Sequence, residues 1–327
     1  MNTAIFDDKS EHCIPFLLGL LEGHRLKHGD GHNAPPFFVG LNGIQGAGKT
    51  VLVSTLQSTL SAAPYNLPTI AFSLDDIYLT HADQQQLAAS HPSNPLLQHR
   101  GQPSTHDIAL GSRIFDSLRR NQPVKIPSYD KSAFSGQGDR APEDMWEVAN
   151  DTHNGQSLVK VVIFEGWCVG FRARPDAEIR ADWEDAVRRE SDGDYDGQLG
   201  HVKLEDIMAI NNALSKYDAF TNQLDAFIHI DAENTHDVYY WRQQQEQTLL
   251  ATKGKGMTPY QVKEFVNGSH FLWLIDYPSY ELYTNQLRYG VFKPMEASSS
   301  DDERAWKGRQ LRLVVNTQRR VKEVIAI

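Results

Sequence analysis

Cysteine is scarce in this sequence: of its 327 residues only Cys13 and Cys168 are cysteines. Two cysteines so far apart give neither a disulfide framework nor the spacing of a zinc site, and they indicate a reducing compartment. Basic residues are outnumbered by acidic residues, and the formal net charge is −10. A general nucleic-acid binder needs a basic surface, so we expect no nucleic-acid partner.

Long apolar runs are absent too, and none approaches the ~18 residues that span a bilayer. The acidic N-terminus has the features of neither a signal peptide nor a transit peptide. We therefore expect a cytoplasmic protein without a membrane partner. The sequence is also compatible with a nuclear location. Hydrophobic residues make up 40% of the chain, which is enough for a folded core, and nothing in the sequence names a protein partner.

What the sequence does contain is a strand, a glycine-rich loop and a helix between residues 36 and 60. Residues 43–50 read GIQGAGKT and match the G-x-x-x-x-G-K-[ST] pattern at every specified position. Glycines there let backbone N–H groups face phosphate oxygens at the start of the helix, whose positive dipole end favours anions. The pattern predicts binding of a nucleoside triphosphate.

Lys49 is expected to neutralise the β- and γ-phosphate oxygens, and the Thr50 hydroxyl to coordinate Mg²⁺. We therefore expect ATP and Mg²⁺ to bind here, with the preference for ATP over GTP left open. The residues predicted to form the nucleotide site are Gly43, Gln45, Gly46, Ala47, Gly48, Lys49 and Thr50.

Four further apolar runs, at 68–74, 158–164, 224–230 and 311–315, predict strands, and helical patterns occupy 9–27, 81–90 and 105–120. Strands that alternate with helices predict an α/β protein with a sheet covered on both faces. We expect a three-layer α/β/α P-loop NTPase fold with a mainly parallel, roughly five-stranded sheet. Residues 1–327 would form one domain, with an N-terminal helical extension at 1–35, an acidic insertion at 181–206 and a surface loop at 296–304.

Acidic residues follow three of the predicted strands, at the sheet edge where ligands of such folds bind. They are Asp75 with Asp76, Glu165 and Asp231. A hydroxyl acceptor needs a carboxylate as base or orienting group. Since Asp75 and Asp76 are adjacent, one is expected to face the acceptor and the other to contact metal or backbone. Glu165 is expected to hold Mg²⁺, with Thr50 and Asp75 as the other candidate ligands.

Two polar, glycine-containing stretches, 100–107 and 127–140, are interpreted as loops that hold a small anionic or polyhydroxylated substrate, with plain surface loops as the alternative. The predicted substrate-binding residues are Asp76, Tyr78, Arg100, His106, Tyr129, Asp130, Lys131 and Arg140. Arg242, on a predicted helix, is expected to close over the phosphates as a catalytic lid arginine, and a plain helical salt bridge is its alternative role.

Together these segments resemble the phosphoribulokinase/uridine kinase/pantothenate kinase group of P-loop kinases. Within that group they look most like the D-glycerate 3-kinase branch, which includes plant glycerate kinases and fungal ATP-dependent kinases. The resemblance runs from about Phe37 to the C-terminus. Its markers are residues 43–50, 73–78, 100–107, 127–140, 164–171, 241–246 and 257–266.

The resemblance implies that Asp75 is the catalytic base, in an Asp-x-Phe-Tyr segment where Ile77 replaces the usual Phe, and that Glu165 is the metal-side acid. It implies ATP-dependent phosphorylation of D-glycerate to 3-phosphoglycerate. Two departures leave the acceptor open, because Ser128 stands where plant members have arginine and Ser104 where glycine is usual. The alternatives are another polyol, sugar acid or nucleoside as acceptor, or a nucleotide-dependent regulatory protein without turnover.

Overall fold

The computed structural model describes residues 7–31, 33–195, 197–234, 237–238, 240–241, 244, 273–293 and 307–327. The strands are β1 Phe37–Gly43, β2 Thr69–Ser73, β3 Val124–Ile126, β4 Tyr129–Asp130, β5 Asp139–Arg140, β6 Glu147–Ala149, β7 Val161–Gly166, β8 Ala226–Ala232, β9 Gln310–Val315 and β10 Val321–Ala326. The helices are α1 Ser10–His28, α2 Lys49–Ser61, α3 His81–Ser90, α4 Ile108–Arg119, α5 Asp176–Ser191, α6 Leu204–Leu214, α7 Asp218–Thr221 and α8 Trp273–Tyr289.

Six strands form the central sheet in the order β10-β9-β8-β1-β7-β2. β1 pairs in parallel with β7 and β8, β2 pairs in parallel with β7, and β9 pairs in parallel with β8. Of the strands that the structure describes in this sheet, only β10, at one edge, is antiparallel to its neighbour. The carboxyl ends of five strands therefore meet along one edge of the sheet, with β1 in the centre.

Alternate side chains of β1 face different helices, as the two-residue period of a strand requires. Phe38 stacks on Phe115 of α4 with ring centroids 5.2 Å apart. Phe37 meets His24 of α1 edge-on at 5.5 Å. Helices thus cover both faces of the sheet, and the apolar core lies in the two layers between them.

Helix α2 carries three leucines at four-residue spacing, Leu52, Leu56 and Leu60, and all of them are buried. Helix α4 is capped by Asp107, whose carboxylate accepts a hydrogen bond from the Leu110 amide at 2.8 Å. Both helices bury one apolar stripe against the sheet, and α2 starts directly at the phosphate loop.

The predicted α/β fold with its mainly parallel sheet is confirmed, and the sheet has one strand more than the five expected. The additional strand, β10, exposes most of its side chains, so it lacks the apolar run by which buried strands are recognised. Residues 181–206 lie mainly in α5, a short turn at Leu199–His201 and the start of α6. The predicted surface loop at 296–304 falls outside the described residues.

Within the described ranges, no helix combines the length and the apolar character needed to cross a bilayer.

Candidate active site

The phosphate loop connects β1 to α2 through two glycines in the left-handed region, Gly46 at φ +80° and Gly48 at φ +100°. Gly46 also lies against Trp241, because a Cβ atom added to Gly46 would come within 2.6 Å of the Trp241 Cβ. Only glycine fits such a position without strain. The first amides of α2 have no acceptor within the helix and are free to meet an anion.

Lys49 opens α2 and folds back over the loop, where its Nζ donates to the Gly43 carbonyl at 2.7 Å. Burial lowers the pKa of Lys49, while the carboxylates of Glu165 and Asp75 act in the opposite direction. Lys49 therefore lies within the electrostatic reach of both acids predicted for catalysis. Thr50, the next residue, is exposed on the first turn.

Glu165 lies on β7 between the strand of the phosphate loop and the strand that leads to Asp75. Its register partners are Leu41 on β1 and Ser73 on β2. Among the described residues no group of three or more His, Cys, Asp or Glu side chains forms a metal site. Mg²⁺ commonly binds through one or two protein oxygens together with substrate phosphates and water. The Thr50 hydroxyl and the Glu165 carboxylate fit this donor set.

Asp75 and Asp76 lie in a single turn of 3-10 helix, Leu74–Ile77, that follows β2 directly. Asp76 Oδ2 accepts a hydrogen bond from the Ser73 amide at 2.8 Å, which forms a capping box. Burial, reinforced by the charges of Asp75 and Glu165, raises the pKa of Asp76 to about 6, against the opposing Ser73 hydrogen bond. Asp76 is thus the member of the pair that contacts backbone.

Asp75 turns instead toward Lys131, whose Nζ lies 2.5 Å from Asp75 Oδ2. Burial on its own would raise the pKa of Asp75, but the Lys131 ammonium, together with a Tyr78 hydrogen bond, keeps that pKa below its ordinary value. Asp75 is therefore an ionised carboxylate with a cation at its side, beside the lysine of the phosphate loop.

Lys131 is carried by the hairpin of β4 and β5, which lies over the turn holding Asp75. Tyr129 of the hairpin meets Tyr78 edge-on, with ring centroids 5.3 Å apart. Lys131 is 58% exposed, so it can move without opening the core. Asp130 is exposed and accepts hydrogen bonds from the Ser132 amide and hydroxyl at 2.9 and 2.6 Å. The structure thus brings Tyr129 and Lys131 to Asp75 and turns Asp130 toward its own loop.

The two predicted substrate arginines hold this hairpin in place. Arg100 Nη1 donates to the Gly136 carbonyl at 2.8 Å and also to the Gln137 carbonyl. Arg140 Nη2 donates to the Tyr78 carbonyl at 2.7 Å and lies 3.3 Å from the Asp107 carboxylate. Both arginines therefore bind protein groups around the site.

His106 is buried next to Asp75 and stacks on Tyr78 with ring centroids 4.5 Å apart. Its Nδ1 lies 2.6 Å from the Tyr217 hydroxyl, which also accepts a hydrogen bond from the Ser104 amide at 3.2 Å. Burial lowers the pKa of His106 to about 3, so the ring is neutral at physiological pH.

Sequence reasoning missed Tyr217 and Arg319. Tyr217 has no local motif, and its contact with His106 joins residues 111 positions apart. Arg319 lies in the turn after β9 and donates from Nε to the Gly46 carbonyl of the phosphate loop at 2.5 Å. A basic residue just after the last parallel strand was a usable signal, since that strand ends at the same sheet edge.

Asp231 also lies near this edge, but it is fully buried between two arginines. Arg288 of α8 and Arg312 of β9 donate to its carboxylate at distances from 2.5 to 2.9 Å. Burial alone would raise the pKa of Asp231, and the Arg288 hydrogen bonds bring it below its ordinary value. Asp231 is thus engaged in an ion-pair cluster between α8 and the sheet. The predicted lid residue Arg242 and the marker segment 257–266 lie outside the described residues.

A left-handed glycine loop with its lysine, a carboxylate on the neighbouring strand, and an Asp–Lys pair at the next strand end define a P-loop kinase site on a P-loop kinase fold. The comparisons with known proteins specify the class further. A solved D-glycerate 3-kinase from Cryptococcus neoformans is 31% identical, covers 98% of this chain and 100% of its own, and superposes with a TM-score of 0.82.

Among curated proteins, the kinase mug58 of Schizosaccharomyces pombe, itself described as uncharacterized, is 37% identical over 256 residues. That match covers 77% of this chain and 82% of the relative. The chloroplastic D-glycerate 3-kinase of Arabidopsis thaliana is 32% identical over 80% of this chain, which spans about half of the plant protein (50%). No protein-family model matches the chain. The chain belongs to the D-glycerate 3-kinase branch of the ATP-dependent P-loop kinases, as its motifs predicted.

Proposed function

We propose that the protein transfers the γ-phosphoryl group of ATP to a hydroxyl of D-glycerate and forms 3-phosphoglycerate. The observation that carries the proposal is the Asp75–Lys131 pair, 2.5 Å apart beside the phosphate loop. A small hydroxy acid offers a hydroxyl for the carboxylate and a carboxylate for the ammonium. Relatives named D-glycerate 3-kinase, one of them covered along its full length, support this acceptor.

In the proposed reaction the acceptor hydroxyl approaches Asp75 while Lys131 shifts from Asp75 to the acceptor carboxylate. The hydroxyl oxygen bonds to the γ-phosphorus, its proton passes to the Asp75 carboxylate, and the bond from that phosphorus to the bridging oxygen breaks to release ADP. Lys49 neutralises charge on the β- and γ-oxygens. Mg²⁺, held by Thr50 and Glu165, would supply further charge neutralisation on the transferring group.

The contacts of Asp76 and Asp75 divide their roles. Asp76 is held by the Ser73 amide, whereas Asp75 faces the exposed, movable Lys131. We therefore propose that Asp75 faces the acceptor hydroxyl and that Thr50 and Glu165 hold the metal.

The test is a coupled ADP-release assay with MgATP and a panel of D-glycerate, other sugar acids, sugars, nucleosides and pantothenate. Release that depends on D-glycerate and is lost in Lys49→Ala supports the proposal. Release with a different compound refutes the acceptor and retains the kinase. If no compound of the panel supports ADP release while nucleotide still binds, the result would favour a regulatory protein without turnover.

A further inference from the structure

One carbonyl of the phosphate loop, that of Gly46, is held by a residue from the far end of the chain. Arg319 Nε donates to Gly46 O at 2.5 Å, and Arg319 Nη1 donates to Gln244 Oε1 at 2.6 Å. Gly46 and Arg319 are 273 positions apart. The fork of the guanidinium thus joins the loop to a third segment of the chain.

Arg319 is in turn held by the segment that leads into the first helix. It adopts a left-handed backbone conformation, φ +61°, and its carbonyl accepts a hydrogen bond from Lys9 Nζ at 2.6 Å. Lys9 is only 1% exposed, and lysine is almost never so buried without a fixed partner. Its neighbour Asp8 accepts from the Val321 amide at 3.1 Å. Asp8 and Lys9, directly before α1, therefore fix the turn between β9 and β10 that carries Arg319.

Gly46 is enclosed on its other side by Trp241, whose Cβ leaves no room for a side chain on the glycine. The Arg319 guanidinium lies over the Trp241 ring, 5.4 Å from its centroid. Trp241 Nε1 donates to the Thr317 carbonyl at 2.6 Å, in the same turn as Arg319. The loop, the tryptophan and the turn form one connected unit.

A phosphate loop binds anions because its amides face inward, and a carbonyl oxygen turned toward the phosphates would repel them. The peptide carbonyl of Gly46 must therefore stay turned outward. We propose that Arg319 is a positioning residue that holds the phosphate loop in its anion-binding shape, and that buried Lys9 supports it by fixing the turn. Nucleotide affinity then depends on residues that directly precede the first helix.

The proposal is tested by calorimetric titration of the full-length protein with the magnesium complex of AMPPNP. Arg319→Ala is expected to weaken binding about tenfold, the effect of one charge-assisted hydrogen bond. Arg319→Lys should weaken it similarly, because an ammonium cannot hold Gly46 and Gln244 in one planar fork. Lys9→Met should weaken binding roughly threefold, since it acts through Arg319.

Lys322→Ala is the matched control, because Lys322 is an exposed cation three positions after Arg319, and it should bind within about twofold of wild type. In steady-state kinetics Arg319→Lys should raise the KM for ATP and leave the KM for the acceptor unchanged, a split that general destabilisation does not produce. Wild-type affinity in either Arg319 variant overturns the proposal. Should Arg319→Ala fail to fold, unchanged affinity in Lys9→Met overturns it. Because binding is measured without acceptor, the result does not depend on the proposed substrate.

Discussion

Replacing Ser104 by glycine should make the protein more stable. Ser104 has φ +96°, a backbone conformation that glycine adopts readily and other residues rarely do. The Ser104 hydroxyl has no hydrogen-bond partner among the described residues, so its removal breaks no such contact. The contact that Ser104 does make, to the Tyr217 hydroxyl, comes from its backbone amide and is retained in glycine.

The size of the effect follows from two opposing terms. A non-glycine residue in such a conformation costs on the order of 1–3 kcal/mol. Glycine also lowers the free energy of unfolding by about 0.4–1 kcal/mol, because it increases the conformational entropy of the unfolded chain. The net gain should be about 1 kcal/mol. For 327 residues the unfolding entropy is about 0.7 kcal/mol/K, so the melting temperature should rise by roughly 1.5 °C.

Differential scanning calorimetry measures this shift directly. Ser104→Ala is the matched control, because it removes the hydroxyl and keeps the side-chain carbon that causes the strain. We expect Ser104→Gly to melt above wild type and Ser104→Ala not to. A lower melting temperature for Ser104→Gly, or an equal rise in both variants, would refute the argument from backbone strain.

Three further predictions concern the site and its surroundings. Lys131→Met should raise the pKa of Asp75, so the acidic limb of the pH profile of kcat/KM should move to higher pH. An acidic limb that does not move would show that the Asp75–Lys131 pair takes no part in catalysis. Gly46→Ala should weaken MgATP binding about fivefold or more, from 1–3 kcal/mol of strain, and wild-type affinity in calorimetry would contradict this. Asp231→Asn leaves two arginines without their anion and should cost about 3 kcal/mol; an unchanged urea midpoint would show that the cluster contributes no net stability.

The parts of this structure that the sequence predicts are those encoded locally. A glycine loop between an apolar run and an amphipathic helix is a continuous stretch, so the strand–loop–helix unit and the five parallel strands followed from pattern alone. The positions of Asp75 and Glu165 at one sheet edge followed because parallel strands place their carboxyl ends together, and their catalytic roles stay predictions. β10 was missed because an exposed edge strand has no apolar run to reveal it.

The parts that escaped prediction depend on contacts between distant segments. Lys9 and Arg319 lie 310 positions apart, and neither segment has a sequence pattern that predicts their contact. Asp231 was correctly placed near the ligand edge, but its two arginine partners come from α8 and β9. Pattern analysis places a charge along a strand, whereas packing between elements decides whether that charge faces a ligand or another side chain.

The central claim is phosphoryl transfer to D-glycerate with Asp75 as the base, and product analysis tests it most directly. The protein, MgATP and D-glycerate are incubated, and the product is identified by phosphorus NMR for wild type, Asp75→Asn and Asp76→Asn. We expect 3-phosphoglycerate from wild type, a rate reduced about 10²–10⁴-fold in Asp75→Asn with MgATP still bound, and a smaller loss in Asp76→Asn. Full turnover in Asp75→Asn, or a wild-type enzyme that leaves D-glycerate unphosphorylated, would contradict the account.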